Sequence, residues 1–391
     1  MSDILIVNPS IDLIRQRSAT FTFPWLNGGH GWFFLPGLFL ASYLKKRGVN
    51  AEVLDMELYS SEEELTVLKE RLKDTEFVGL SVMTAQVPHA IKIAEFIRSV
   101  SKNIKIVWGG THVSLLPGQV FESTLSDSVI SGVGEPALHS LVTGAADIPY
   151  EFEEPDYSVL DTDRYFSFQG PYRNFDILTS RGCPYKCSFC INSILKNRWI
   201  LLDADRSIAL IRNAHDRYKF RHTFIMDENF FGRSGRAIAI IEGIASLEIT
   251  WESNAAALDI IKLSVDDLIF LRKSGCTKLR MGAESGSDRL LDILNKRTTV
   301  SQMAEARDKC LRAGIIPVMS FMVHLPDETP EDYQLTMTFI AECYNKGAQI
   351  IGPQVFRPYP GSKEYLKLVA RGLQIPASLE AWATSSLFNT V

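Results

Sequence analysis

Short apolar runs alternate with amphipathic stretches along almost the whole chain. In the first 147 residues, segments 3–9 (DILIVNP), 51–56 (AEVLDM), 77–82 (FVGLSV), 105–110 (KIVWGG) and 128–132 (SVISG) have strand length and turn residues at their ends. Between them, 35–48 has helical spacing and stops at Gly48, 61–74 is acidic with a 3.6-residue period, and 88–101 reads as a further helix. Strands alternating with helices predict a parallel, doubly wound (Rossmann-like) sheet over residues 1–147. Ligands of such sheets bind at the carboxyl ends of the strands. Here those ends carry Asn8-Pro9, Ser81 to Thr84, Gly109 to His112, and GVGEPAL at 132–138. Glycines there let backbone approach a ligand closely, although each also reads as an ordinary turn glycine. No G-x-G-x-x-G follows the first strand, so the dinucleotide fingerprint is absent.

Residues 148–173, rich in Pro, Tyr and acids and without a period, read as a linker whose aromatics pack on a domain surface. The alternation then resumes over 174–365. Strands are expected at 175–180, 222–226, 249–253, 278–284, 316–325 and 349–356. Helices are expected at 204–218, 235–247, 264–275, 287–296, 300–314 and 329–347. Six β/α units fall short of the eight that close a full barrel, so a partial (β/α)6 barrel is predicted, again with chemistry at the strand ends. Residues 366–391 read as a short helical extension, which leaves the site more open or closed by a large substrate or a partner.

Composition changes this picture little. The chain has 391 residues, 46% hydrophobic and 22% charged, enough for two domains with their own cores. A net charge of −5 gives no reason to expect nucleic acid. The longest greasy stretch, 32–44, is too short to span a bilayer and is broken by Pro36 and Gly37; it reads as a buried first helix or an apolar-substrate surface. No transmembrane segment or secretory leader is expected, and a reduced cytoplasm is the default location. Of six cysteines, Cys276, Cys310 and Cys343 are scattered and read as small buried hydrophobes.

The other three are clustered in RGCPYKCSFC, at Cys183, Cys187 and Cys190, on a loop leaving a predicted strand. Structural zinc wants four ligands, a disulfide would leave one cysteine over, and a nucleophile needs only one thiol. Four irons held by three thiolates fit best, with one iron left open for a further ligand.

The x3/x2 spacing after TSRG, with Phe189 before the last cysteine, resembles the signature of the radical S-adenosylmethionine enzymes. Segments 224–232, 251–261, 279–297, 314–332 and 355–362 resemble the subfamily that carries an N-terminal cobalamin-binding domain. Segment 106–138 resembles the second half of that domain. The resemblance implies a Rossmann-like cobalamin-binding domain followed by a radical barrel. It implies a [4Fe-4S] cluster, S-adenosyl-L-methionine on its open iron, and cobalamin. A 5′-deoxyadenosyl radical would abstract hydrogen, and methyl transfer to an unactivated carbon is the leading reaction. Cyclisation, dehydration, epimerisation or carbon–carbon coupling is the alternative. A small-molecule, lipid or peptide substrate and a one-electron reductant such as flavodoxin or ferredoxin are the implied partners.

By the same resemblance, Cys183, Cys187 and Cys190 hold the cluster and Phe189 lies near the adenine. Asp227 and Glu228 meet the methionine ammonium, or else form an N-cap or solvated pair. Ser253 and Asn254 hold its carboxylate, or else are plain turn residues. Glu284 meets the ribose or ammonium, and Met322 and Val323 line the adenine. His324 reads as a wall residue more than an acid or base, and Tyr359 faces substrate or supports its proline-flanked turn. Cobalamin falls to Ser81, Thr84, Gly109, Gly110, His112, Gly132, Gly134 and Glu135. The Asp-x-His-x-x-Gly motif that supplies an axial histidine is missing, and His112 does not replace it by position.

Overall fold

A computed structural model describes residues 2–11, 32–146, 148–169 and 173–385. The chain forms two compact units, Met1–Pro171 with Gln374–Val391, and Tyr172–Leu373.

The first unit is built on a five-stranded sheet of β1 (Ser2–Asn8), β2 (Ala51–Asp55), β3 (Thr75–Ser81), β4 (Lys105–Gly109) and β5 (Ser128–Val129). Its order is β2-β1-β3-β4-β5, with every pair parallel, as the alternation implied. Both faces are covered. Ile4 and Ile6 point to one apolar cluster and Leu5 and Val7 to the other, the period-two signature of a strand buried on both sides. The greasy stretch becomes the helix Leu35–Lys45, whose Leu38, Phe39, Ala41 and Leu44 are buried, so the buried-helix reading holds.

Two sequence-based boundaries need correction. Residues 148–169 are not a bare linker. They form a short turn at Tyr157–Val159 and a helix at Thr162–Gln169, and they bury Phe152, Tyr157, Tyr165 and Phe166. The Tyr165 hydroxyl donates to Asp55 Oδ2 at 2.6 Å and accepts from Phe34 N at 3.1 Å. Nor is 366–391 one extension. The helix Lys363–Ala370 belongs to the second unit, whereas the helix Leu379–Thr384 packs into the core of the first. Between β4 and β5 the chain forms two five-residue helices, Thr111–Leu115 and Pro117–Phe121. Leu379 and Trp382 fill the apolar space beside them. Residues 386–391 lie outside the described residues, as do 170–172 of the expected linker.

The second unit carries six parallel strands. They are β6 (Asn174–Ile177), β9 (His222–Ile225), β10 (Thr250–Asn254), β11 (Cys276–Glu284), β12 (Ile316–Val323) and β13 (Gln349–Val355). They lie side by side in chain order, the arrangement of a partial barrel. Helices cross between consecutive strands, and several start on side-chain caps. Asp203 accepts from Arg206 N, and Ser264, Thr299 and Thr329 each close a capping box. A two-residue antiparallel pair, β7 (Ser180–Arg181) with β8 (Ile200–Leu201), closes the neck of the cysteine loop. Cys276, Cys310 and Cys343 are buried and free. Among the described residues, no helix is long and apolar enough to cross a membrane.

Candidate functional site

In the second unit, the cysteine loop leaves β7 through Gly182, whose φ is +77°. A Cβ there would stand 2.5 Å from the Arg198 carbonyl oxygen, so only glycine fits. Beyond the neck the loop is pinned at three places. Ser188 N donates to Leu294 O at 2.9 Å, Asn295 Nδ2 donates to Lys186 O at 2.6 Å, and the Tyr185 hydroxyl donates to Asp259 Oδ1 at 2.9 Å. The buried Asp259 also accepts from Asn229 Nδ2 at 2.8 Å, which ties the loop to the turn after β9.

The loop thereby presents three half-buried, free thiols. Burial pushes the Cys183 thiol up to about 11, and Cys190, Cys187 and Glu228 add to the rise, so the three sulfurs share one electrostatic neighbourhood. Burial also pushes Cys187 up, against the pull of Lys296. Among the described residues, no group of three or more His, Cys, Asp or Glu side chains stands ready to hold a metal ion by itself.

Asp227 and Glu228, adjacent in sequence, separate in role. The Asp227 carboxylate is fully buried. Oδ1 accepts from Thr179 N at 2.6 Å and Ser180 N at 3.1 Å, while Oδ2 accepts from the Thr179 and Ser180 hydroxyls at 2.7 and 2.6 Å. Burial raises its pKa and those donors oppose the rise, with Arg236 3.8 Å away. Both oxygens are thus committed to Thr179 and Ser180, Oδ1 to their backbone and Oδ2 to their hydroxyls, where the chain feeds the cysteine loop. The Asp227 side chain thereby clamps the neck of the cysteine loop, with both oxygens already partnered. Glu228 is exposed, though protein close around it raises its pKa by burial; Gly182 and Asn192 are its partners, and its charge reaches Cys183.

At the end of β10, Ser253 is buried and its hydroxyl has no partner. Such an orphan costs about 1–3 kcal/mol unless a ligand satisfies it. The neighbouring Asn254 spends its amide NH2 on Asp227 O at 3.0 Å. Glu284 ends β11 at a bulge with φ +64°, a strained value for a residue with a side chain. Its Oε1 accepts from Lys296 Nζ at 2.8 Å. Lys296 went unremarked in the sequence because it stands twelve positions away, too far for helical spacing. The left-handed residues Asn295 and Arg297 flank it and turn the chain back. Burial works against the Lys296 charge, but Glu284 and the Cys187 and Cys190 sulfurs outweigh it and raise the ammonium's pKa.

Phe189 and Met322 pack with Leu290, Leu294, Leu325 and Phe356, forming an apolar shelf beside the thiols, and Lys296 Nζ lies 5.9 Å from the Phe189 ring centre. Val323 is buried at the end of β12. His324 is exposed, with φ +61°, and its N–H donates to Glu328 Oε2 at 2.6 Å. The Tyr359 hydroxyl, its pKa raised by burial, lies within the influence of Cys190.

In the first unit, Val82 N donates to Gly109 O and His112 N to Val82 O, both at 2.9 Å, stitching the turn after β4 to the end of β3. At Gly110, φ is +94° and a Cβ would stand 2.5 Å from Val82 N. Ser81, Gly109, Gly110, Gly132 and Gly134 remain half-buried or exposed at this edge, together with exposed Met83 and Val133. Those two apolar side chains were not singled out, although their place among small polar loop residues marks them. Three candidates turn inward. Thr84 and His112 are buried, 3.2 Å apart through Oγ1 and Nδ1, and the His112 ring meets Trp382 edge-on at 5.6 Å. Burial lowers the His112 pKa to about 4. Glu135 is buried, 3.5 Å from the Tyr150 hydroxyl. Thr84, His112 and Glu135 are thus held in the interior of this unit.

Comparison with known proteins fits both units. The profile of the radical SAM superfamily matches residues 177–340, and that of the B12 binding domain matches residues 35–142. The chain belongs to the radical S-adenosylmethionine enzymes that carry a cobalamin-binding domain. It is 25% identical over 343 residues to an uncharacterised methyltransferase of Pyrococcus horikoshii, covering 80% of this chain and 73% of that one. It is also 25% identical to the anaerobic magnesium-protoporphyrin IX monomethyl ester cyclase of Rubrivivax gelatinosus, covering 76% of this chain and 60% of that one. Among solved structures, the radical S-adenosylmethionine methyltransferase TsrM from Kitasatospora setae superposes with a TM-score of 0.74 at 17% identity, over 96% of this chain and 78% of that one. The family's cofactors are a [4Fe-4S] cluster, S-adenosylmethionine and cobalamin. The residues present suit them: three free thiols on one loop, a buried hydroxyl lacking a partner, and an ammonium beside the sulfurs.

Proposed function

We propose that this enzyme transfers a methyl group to an unactivated carbon of a small-molecule, lipid or peptide substrate. The observation that carries the reading is the three-thiol loop with the orphaned Ser253 hydroxyl beyond it, in a chain that also matches a B12 binding domain. When bound, the cluster and S-adenosylmethionine supply a hydrogen-abstracting radical, and cobalamin carries the methyl group.

Cys183, Cys187 and Cys190 hold three corners of the cluster and leave the fourth to the cosubstrate. Glu228 offers an acceptor to its ammonium. Ser253 donates to its carboxylate, and Lys296 adds a cation at the same end. Phe189, Met322 and Val323 provide the apolar shelf for adenine, with Glu284 held in place by Lys296. Asn254 and Asp227 position the strand ends. His324 and Tyr359 form wall for the substrate. In the first unit, Ser81, Gly109, Gly110, Gly132 and Gly134 admit cobalamin against backbone, with Met83 and Val133 as apolar rim. His112, turned inward beside Thr84, would not serve as a ligand to a bound cobalamin. A flavodoxin or ferredoxin supplies the electron, and six free cysteines fit a reducing cytoplasm.

The test is product analysis with anaerobically reconstituted protein and candidate substrates. Methylated product with S-adenosylhomocysteine supports the reading; 5′-deoxyadenosine alone overturns methyl transfer. The likeness to the Rubrivivax cyclase favours a second reading, radical cyclisation without methyl transfer, which that second outcome together with a cyclised product would support.

A further inference from the structure

Behind the cysteine loop lies a carboxyl group for which the reaction above has no use. Glu364 is 2% exposed and sits in the first turn of the eight-residue helix Lys363–Ala370, capped by Ser362. Its Oε1 accepts from the hydroxyl of Ser188, between the second and third cysteines, at 2.6 Å. Its Oε2 is buried and has no hydrogen-bond partner. A serine hydroxyl is a modest companion for a buried acid, and an orphaned oxygen costs about 1–3 kcal/mol. A glutamine or an apolar residue would suit a purely structural brace better.

The same helix grips the loop a second time, because Leu368 joins the apolar cluster that holds Phe189. It is also fixed from behind. Lys367 pairs with Asp327, and Arg371 pairs with Asp327 at 2.7 Å and donates to Pro326 O. The helix is therefore held from both sides, and Glu364 keeps a defined place next to the Cys187–Cys190 segment. A negative charge in the first turn of a helix is favourable.

We propose that Glu364 is a positioning residue that sets the redox potential of the cluster: it orients the Ser188–Phe189 peptides through Oε1 and places a fixed negative charge beside the cluster loop. This rests on the cluster assignment made above. Adding an electron near a buried negative charge is disfavoured, so the charge holds the reduction potential down. Net charge and hydrogen bonding near the sulfurs are the levers by which proteins tune such clusters.

Potentiometric titration followed by electron paramagnetic resonance, on reconstituted full-length protein, tests this. Glu364→Gln keeps an oxygen for Ser188 and removes the charge. It is expected to load iron like the parent and to titrate at a more positive potential. Ser188→Ala keeps the charge and removes the hydrogen bond. It is expected to titrate near the parent potential with a broadened signal. An unchanged midpoint in Glu364→Gln, or equal shifts in both variants, overturns the proposal. Should Glu364→Gln not fold, Glu364→Asp, which keeps the charge, must fold and stay near the parent potential; a large shift there is equally fatal. If no variant or parent takes up iron, the cluster assignment fails, not the placing of the charge.

Discussion

Replacing Asp227 by alanine separates two roles that the sequence alone left merged. If Asp227 served only to meet a cosubstrate ammonium, the metal-free, ligand-free protein would not need it. Instead its carboxylate receives four hydrogen bonds from Thr179 and Ser180 while fully buried, with Arg236 nearby. Hydrogen bonds to a charged acceptor are worth about 1.5–3 kcal/mol each, but four on one group are not additive. Truncating one partner of a buried charged network typically costs about 3–5 kcal/mol. For a unit of this size each kcal/mol moves Tm by about 2–4 °C, so a fall of about 6–20 °C is expected. The assay is thermal unfolding of Asp227→Ala without iron or S-adenosylmethionine, watched by near-ultraviolet circular dichroism. An unfolding curve matching the parent, combined with lost cosubstrate binding, would refute the clamp and restore Asp227 to the ligand set.

Ser253→Ala should show the opposite pattern. Removing an orphaned hydroxyl leaves the ligand-free melting temperature equal or higher, whereas S-adenosylmethionine affinity, measured by equilibrium dialysis, falls about 10–150-fold for one lost hydrogen bond to a carboxylate. Trp382→Ala empties a site 2% exposed in the first unit's core and removes the bond from Nε1 to Gln119 Oε1 at 2.8 Å. A loss of about 3–5 kcal/mol is expected, seen as faster hydrogen exchange over residues 87–121. His112 titrates near 4 in the fold against about 6.5 unfolded, so the unfolded chain takes the proton first as pH falls. Its stabilising contribution is present above pH 6.5 and is lost between about 6.5 and 4, by roughly 3 kcal/mol in all. His112→Gln should flatten that part of the stability profile; a slope unchanged from the parent would show that other groups cause it.

The alternation of strands and helices was legible because both sheets are parallel, with a helix-length segment between successive strands, and because strands such as β1 are apolar runs buried on both faces. The cysteine loop was legible because its three cysteines are local in sequence. Side-chain direction was not. Whether His112 faces the strand-end edge or the core depends on Trp382, 270 positions later, and Asp227 differs from Glu228 only by which donors fold over it. The β7–β8 pair has two residues per strand, too few for a period. Residues 148–169 looked like a linker because Tyr165 and its neighbours are held by tertiary hydrogen bonds rather than by a repeating pattern. Lys296 became visible only when left-handed turns returned it to Glu284.

The account stands on three thiols leaving one corner of an iron–sulfur cluster to the cosubstrate. Electron paramagnetic resonance of the dithionite-reduced, reconstituted protein, with and without S-adenosylmethionine, tests that claim most directly. The account predicts about four irons per chain, lost on replacing any of Cys183, Cys187 or Cys190, and a spectrum that changes when the cosubstrate is added. A spectrum indifferent to S-adenosylmethionine, or a cluster that survives loss of one of these cysteines, would contradict it.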